Sequence, residues 1–239
     1  MQHNEHPSTP HRNVLVIGAS RGLGAAIAET YADRGARVVA TVRQPSGTAL
    51  HMYVDRTHAA IGIEQVDIDH AEQVAALHDR LSGHHFDLLF VVAGISLAAQ
   101  DAIGADVDAD DFTRMMLTNV LGVMRAVETL QDLVTPDGTI AVMSSGQGSV
   151  TNNTTGGFEV YRATKSALNQ MFRSYAARHS GEQRPLLLMA PGWVRTTLGG
   201  PDAMLEISDS IPSLVEAVDA QHDMPGLQFL DRMGRPVAW

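Results

Sequence analysis

The sequence predicts an α/β protein in which a mainly parallel, seven-stranded sheet is doubly wound, with helices on both of its faces. Short apolar runs rich in β-branched residues alternate with longer stretches of helical periodicity, which is the order of repeated βαβ units. The first unit, residues 13–34, also places Gly18, Gly22 and Gly24 between its strand and its helix. Glycines at such a turn bring helix close to strand and let a phosphate group approach the backbone.

Length and composition favour one large domain and exclude several classes of partner. The 239 residues are divided into a polar leader at residues 1–12 and a domain at residues 13–239. The net charge of −10, with no run of basic residues, argues against a nucleic-acid partner. No apolar segment has the length of a membrane span, and the chain has no cysteine, so we expect a cytoplasmic protein without disulfides. We predict no metal site: His3, His6 and His11 belong to the polar leader, and His84 and His85 lack further ligands.

The same two periodicities place the elements along the chain. Strands are predicted at residues 14–17, 36–42, 61–68, 86–92, 139–145, 185–190 and 226–230. Helices are predicted after the glycine turn and at residues 50–55, 72–81, 112–133 and 159–179. Residues 101–111 are predicted to form a loop and residues 136–138 a turn, while residues 199–220 form a mobile loop and helix over the open end of the sheet.

Polar residues follow the predicted strands, at the edge where parallel sheets bind ligands. The second strand ends at Arg43 without a carboxylate, and Arg21 lies in the glycine turn. Two cations in place of an acid suit a ribose 2′-phosphate, which predicts NADP rather than NAD, although Arg43 could also be a solvated strand end. Asp67 could hydrogen-bond an adenine amino group or cap the following helix.

Three further positions could bear chemistry. Ser144 and Ser145 end the fifth strand, and Tyr161 and Lys165 are four residues apart, hence on one face of a helix. Asn119 lies in the middle of a predicted helix, where asparagine is unfavourable. Taken alone, Asn119 is expected on a solvated helix edge, and the Tyr161–Lys165 pair on a helix surface.

Taken together, these motifs resemble those of the short-chain dehydrogenase/reductase family. They occur in the family's order: Gly18-Ala-Ser-Arg-Gly22-Leu-Gly24, Asp67, Ala93-Gly94, Asn119, Ser144-Ser145, Tyr161-Arg-Ala-Thr-Lys165 and Pro191-Gly-Trp-Val-Arg-Thr196. Residues 161–169 and 191–200, with Gly234 and Trp239 near the end, are similar to sniffer-type carbonyl reductases and C-factor-like proteins. The resemblance implies a single-domain Rossmann fold.

The resemblance also implies an activity, the NADPH-dependent reduction of a ketone or aldehyde. In this assignment Tyr161 is the acid/base, and Lys165 lowers the pKa of the phenol and holds the nicotinamide ribose. Ionising a free phenol at neutral pH costs roughly 4 kcal/mol, which a neighbouring ammonium reduces. Ser145 orients the carbonyl oxygen, with Ser149 as a rival because the loop before Tyr161 is long. Asn119 shapes its helix and supports a water relay to Lys165.

The cofactor-binding residues implied by the resemblance come from several loops. They are Gly18, Ser20, Arg21, Gly22, Leu23, Gly24, Arg43, Asp67, Ile68, Ala93, Gly94, Ile95, Tyr161, Lys165, Pro191, Gly192, Trp193, Val194 and Thr196. One departure is that Val91 and Val92 stand where the family usually has two asparagines that brace the sheet. This departure questions local rigidity and cofactor affinity.

Two aspects of function stay open at this point. The alternative to a reductase is a non-catalytic protein that keeps the nucleotide site for sensing or signalling. The small-molecule substrate cannot be inferred, because Met204, Leu205, Ile207 and Ile211 could line an apolar pocket or belong to a helix core. We also expect a homo-oligomer, most simply a dimer, because the helices at residues 112–133 and 159–179 have more apolar residues than one buried stripe needs.

Overall fold

The computed structural model describes residues 12–239, which form a seven-stranded sheet in the order β3-β2-β1-β4-β5-β6-β7. All neighbouring strands are parallel, which confirms the predicted doubly wound fold. Strands β1 to β7 span Asn13–Ile17, Arg37–Val42, Ile61–Gln65, Phe86–Val91, Val134–Met143, Pro185–Ala190 and Gly226–Asp231. Helices α1 to α7 span Gly22–Asp33, Ala49–Thr57, Ala71–Leu81, Ala109–Met116, Val123–Leu130, Glu159–Arg178 and Ile207–Asp219. The predicted leader, with its three histidines, lies almost wholly outside the described residues.

Each face of the sheet has its own hydrophobic core, because successive side chains of a strand point to opposite faces. In β1, Leu15 and Ile17 join one core with α3, α5 and α6. Val14 and Val16 join the other core with α1, α2 and α7. Strand β1 is therefore apolar from Val14 to Ile17, as the continuous apolar run in the sequence predicted.

The glycine turn between β1 and α1 is closed too tightly for side chains. A Cβ atom at Gly24 would lie 2.1 Å from the carbonyl oxygen of Gly18. A Cβ atom at Gly18, whose φ is 94°, would lie 2.7 Å from the backbone of Ala93. The turn thus packs the start of α1 against both β1 and the segment that follows β4, as expected from the motif.

The predicted helix at residues 112–133 begins earlier than expected and is not one regular α-helix. Asp108 accepts a hydrogen bond from the backbone of Asp110, so α4 begins at Ala109 and the end of the predicted loop is helical. A 3₁₀ turn, Gly104–Asp106, occupies part of the same loop. Between α4 and α5, residues Leu117–Gly122 form a π-helical turn, which sequence periodicity did not indicate.

Two strands, β3 and β5, differ from the prediction by three or more residues at one end, and the boundaries of the other strands differ by at most one residue. The strand β3 ends at Gln65 instead of residue 68. The expected turn at residues 136–138 is an irregularity inside β5, because Phe86 pairs with Val134 while Leu88 pairs with Thr139. The chain inserts extra residues there without leaving the sheet, as in a β-bulge.

Candidate active site

The predicted site residues converge on one edge of the sheet. Since all strands are parallel, the segments that follow their carboxyl ends meet there. These segments include the glycine turn after β1, Arg43 after β2, Asp67 and Ile68 after β3, residues 93–95 after β4, Ser145 after β5 and residues 191–196 after β6. Helix α6 contributes Tyr161 and Lys165 to the same edge. We call residues 145–151, which follow β5, the serine loop.

Asn119 lies in the π-helical turn and is completely buried, so its expected place on a solvated edge is wrong. Its side-chain oxygen accepts a hydrogen bond from Ile95 N at 2.7 Å. Its side-chain nitrogen donates to Ile95 O at 2.8 Å and to Thr164 Oγ1 at 3.1 Å. These bonds satisfy the amide that a mid-helix asparagine otherwise leaves competing with the backbone. They join the end of β4 to α6.

The serine loop brings Ser145, not Ser149, to the tyrosine. The Ser145 hydroxyl lies near the Tyr161 phenol, and hydrogen bonding by Ser145 acts to lower the pKa of that phenol. Ser145 Oγ also accepts from Gln147 N at 3.1 Å, which turns the loop. Ser149 is buried and directed to the chain terminus, where its hydroxyl lies 3.5 Å from Trp239 O. The geometry therefore favours Ser145 over Ser149 as the partner of Tyr161.

Lys165 is buried next to the same ring. Its exposed fraction is 2%, and Nζ donates to Met143 O at 2.9 Å. The ammonium lies 5.8 Å from the centroid of the Tyr161 ring. Burial lowers the pKa of Lys165 to about 8, because the charged form loses solvation.

The expected lowering of the Tyr161 pKa is not found in this structure. Burial raises the pKa of Tyr161 to about 12, and the hydrogen bond from Ser145 opposes this rise without cancelling it. Loss of solvation therefore dominates over any stabilisation of a phenolate by Lys165. At neutral pH the phenol holds its proton, which is the form that can donate one.

The nucleotide side of the site is open. The side chains of Arg21 and Arg43 are exposed, and within residues 12–239 neither forms an ion pair. The backbone of Arg43 is held by the glycine turn, since Ser20 Oγ accepts from Arg43 N at 3.3 Å. Thr41, buried at the end of β2, accepts from Gly18 N at 3.0 Å and so ties the glycine turn to β2.

Asp67 does not cap the following helix. Its carboxylate accepts from Asp69 N at 3.1 Å, whereas α3 begins after His70 without a side-chain cap. This local turn leaves the carboxylate partly exposed at the end of β3. The neighbouring Ile68 is buried and packs closely on Gly122, where a Cβ atom would lie 3.0 Å from it.

The two valines that replace the usual asparagines are accommodated by packing. Val91 is fully buried in one core and Val92 packs against the other. The nitrogens of Val92 and Ala93 both lie within hydrogen-bond distance of Ile17 O, at 2.8 and 3.1 Å. The junction of β1 and β4 is thus intact, and Gly94 follows it as an exposed residue beside Lys165.

The segment after β6 folds back on itself over the site. Trp193 Nε1 donates to Gly199 O at 2.8 Å, and Thr196 Oγ1 accepts from Gly199 N at 3.0 Å. Val194 pairs with Leu205 in an isolated bridge. The Thr196 methyl group also approaches Gly22 of the glycine turn. Residues 191–196 therefore form one side of the candidate site.

The apolar residues of the predicted substrate loop could line a pocket or belong to a helix core, and the structure shows both exposed and core positions among them. Met204 is 81% exposed, whereas Ile211 is buried in the core formed by α7. Leu205 lies next to Gly192, where a Cβ atom would meet its Cδ1 at 2.7 Å. Ile207 packs against the same core as Ile211.

Thr164 is a site residue that the sequence analysis missed. It is fully buried, accepts from Asn119 and donates to Tyr161 O at 2.8 Å. A threonine inside a helix gives no particular signal, so only its place between Tyr161 and Lys165 could have drawn attention to it.

Residues 12–239 contain no cluster of histidine, cysteine, aspartate and glutamate that could hold a metal ion. His84, for example, stacks on Phe86 with ring centroids 6.1 Å apart. No helix within the same residues is long and apolar enough to cross a membrane.

Comparison with known proteins agrees with this geometry. Residues 12–203 match the profile of the short chain dehydrogenase family. A short-chain dehydrogenase/reductase from Burkholderia multivorans, solved with bound NADP, is 48% identical with a TM-score of 0.93, over 96% of this chain and all of that one. A carbonyl reductase from Pseudomonas aeruginosa, also solved with NADP, is 32% identical with a TM-score of 0.87, over 95% of this chain and 99% of that one. The C-signal of Myxococcus xanthus is 34% identical over 64% of this chain and 92% of its own length. The chain belongs to the short-chain dehydrogenase/reductase family of oxidoreductases.

Proposed function

We propose that this protein is an NADP-dependent reductase that converts a ketone or aldehyde to an alcohol, with Tyr161 as the proton donor. The observation that supports this most directly is the placement of Ser145 near the Tyr161 phenol, beside the buried ammonium of Lys165. A carbonyl oxygen bound to both hydroxyls would be held where a proton can reach it. Ser145 is the orienting group and Asn119 a supporting one in this proposal.

The residues present fit NADP. The glycine turn leads into the start of α1, where unpaired backbone N–H groups suit a phosphate group, and it has no room for a Cβ atom at Gly18 or Gly24. The free guanidinium groups of Arg21 and Arg43 suit a ribose 2′-phosphate, and no carboxylate stands beside them at the end of β2. Two similar structures contain NADP, which agrees with this assignment. Asp67 is a candidate partner for the adenine amino group.

The cofactor supplies the hydride, and the chain's own residues handle the proton. With a pKa of about 12, the Tyr161 phenol is protonated at neutral pH and ready to donate to an oxygen that gains negative charge. Lys165 places a positive charge near the phenol, which favours the phenolate that results. Asn119 bonds to Ile95 after β4 and to Thr164 in α6, and so links the two segments that flank the phenol.

A non-catalytic sensing or signalling role is not favoured. Such a protein has no need of the whole set of Asn119, Ser145, Tyr161 and Lys165. The Myxococcus relative is named C-signal, but its match covers 64% of this chain, whereas the match of the Pseudomonas carbonyl reductase covers 95%.

Oxidation of NADPH tests the proposal. Purified protein is incubated with NADPH and a panel of ketones and aldehydes, and absorbance of the reduced cofactor is followed. Consumption of NADPH that depends on the carbonyl supports the proposal. Tight binding of NADPH without turnover of any compound contradicts it.

We also propose that the protein is a homodimer paired through α5 and α6. A groove between these helices contains exposed Leu121 and Met171, with Glu128 and Arg178 beside them. In a twofold dimer this patch meets the same patch of the second copy, so the exposed apolar side chains cover each other, while Glu128 and Arg178 stay paired within each chain. Sedimentation at micromolar concentration should show twice the 25.7 kDa mass of one chain. A single species at the monomer mass contradicts the dimer.

A further inference from the structure

A continuous chain of hydrogen bonds leads from the end of β4, through the buried bond between Asn119 and Thr164, to the backbone of Tyr161. It starts at Ile95, whose N–H and C=O both bond to the Asn119 side chain at 2.7 and 2.8 Å. It continues from Asn119 Nδ2 to Thr164 Oγ1 at 3.1 Å. It ends where Thr164 Oγ1 donates to Tyr161 O at 2.8 Å.

The Thr164 hydroxyl links the π-helical turn, through Asn119, to the backbone of α6. It accepts from the π-helical turn and donates within α6, and its residue is 0% exposed. Asn119 is also 0% exposed, and both of its N–H groups have partners. Loss of the hydroxyl would therefore leave one N–H of Asn119 buried without an acceptor, which is costly.

We propose that Thr164 is a positioning residue that holds the Tyr161 phenol in place for proton transfer by joining its helical turn to Asn119. This inference rests on the proposed function. Thr164 does not touch the reacting atoms. It acts by fixing the backbone three residues before it, and thereby the direction in which Tyr161 meets Ser145.

Isosteric substitution separates this role from a general packing role. Thr164→Val removes the hydroxyl and keeps the shape, and Thr164→Ser keeps the hydroxyl. Thr139 is a matched control, because it is equally buried, lies in β5, and its hydroxyl has no hydrogen-bond partner within residues 12–239. Thr139→Val therefore makes the same chemical change away from the tyrosine.

The expected result is a selective loss of kcat. Thr164→Val should lower kcat about tenfold, the size expected for one buried unsatisfied donor, with KM for the carbonyl and Kd for NADPH within about twofold of wild type. Thr164→Ser should keep kcat close to that of wild type, and Thr139→Val should leave kcat unchanged. Because the effect passes through Asn119, adding Thr164→Val to Asn119→Ala should lower kcat little further.

Several outcomes would overturn the proposal. These are a wild-type kcat in Thr164→Val, failure of Thr164→Ser to keep kcat close to that of wild type, an equal loss in Thr139→Val, or additive losses in the double variant. Hydrogen exchange of the Ile95 amide gives a readout that needs no activity, because Asn119 Oδ1 covers that N–H. Faster exchange in Thr164→Val than in Thr139→Val supports the link, and equal exchange refutes it. If wild type reduces no carbonyl, the proposed function fails, and this exchange measurement still decides on the link.

Discussion

The two halves of the site differ in what their charged and polar groups already contact. Around Tyr161, the side chains of Asn119, Thr164 and Lys165 are buried and bonded within the protein. Around the glycine turn, the guanidinium groups of Arg21 and Arg43 are exposed and have no ion-pair partner within the described residues. The proton-transfer half is therefore organised before any ligand binds, whereas the nucleotide half presents charge that a phosphate group would neutralise. Substitutions in the first half should affect turnover, and those in the second half cofactor binding.

The largest effect is expected from Tyr161→Phe. This change removes the proton donor and keeps the ring, so kcat should fall by roughly a hundredfold to ten-thousandfold. The Kd for NADPH should remain close to that of wild type, because the hydroxyl is one of many contacts. Stopped-flow or steady-state NADPH oxidation together with fluorescence titration measures both quantities. Unchanged turnover of every accepted substrate would remove Tyr161 from the proposed mechanism.

Removing a cation from the other half should change cofactor preference. Arg43→Ala should weaken NADPH binding by roughly tenfold to a hundredfold, the range for a charge-assisted bond to a phosphate group, and should leave NADH binding nearly unchanged. The comparison of Kd values for the two cofactors in wild type and variant gives the result. A wild-type preference for NADH, or an unaltered ratio in the variant, contradicts the assignment of Arg43.

The rate of carbonyl reduction should depend on the protonation of Lys165. Its pKa is lowered to about 8, so the ammonium is charged below that pH and neutral above it. Tyr161, with a pKa of about 12, keeps its proton across the same range. We therefore expect kcat for reduction to be level near pH 7 and to fall by up to about tenfold per pH unit above pH 8. A kcat that stays constant as the pH rises from 7 to above 8 would show that carbonyl reduction does not depend on the charge of Lys165.

The smallest effect should come from salt. Exposed charges are screened within about 10 Å at 0.1 M ionic strength, whereas buried groups are screened much less. Raising the salt concentration should increase KM for NADPH by about twofold to threefold while kcat stays constant. Steady-state kinetics over a salt series measures both parameters. An equal response of kcat would mean that the two halves of the site do not differ as their burial indicates.

Most of the fold could be predicted, because apolar periodicity and glycine spacing are local properties of the chain. The strand Pro185–Ala190 and the two-sided burial of β1 follow directly from continuous apolar runs. The wrong predictions concern local structure that depends on contacts with other segments of the chain. The π-helical turn at Leu117–Gly122 and the irregular pairing of β5 depend on contacts with other elements, and periodicity within one segment does not reveal them.

The same distinction applies to the site. The glycine turn, the cations after β1 and β2, and the Tyr161–Lys165 spacing could be identified in the sequence, because each depends on residue type and position along one segment. Only the tertiary structure decided that Asn119 is buried, that Ser145 meets Tyr161 while Ser149 faces Trp239, and that Thr164 joins the two helices. It also decided that the pKa of Tyr161 rises, since desolvation depends on what surrounds the phenol in space. Burial and hydrogen-bond partnership arise between segments distant in sequence, and no local pattern specifies them.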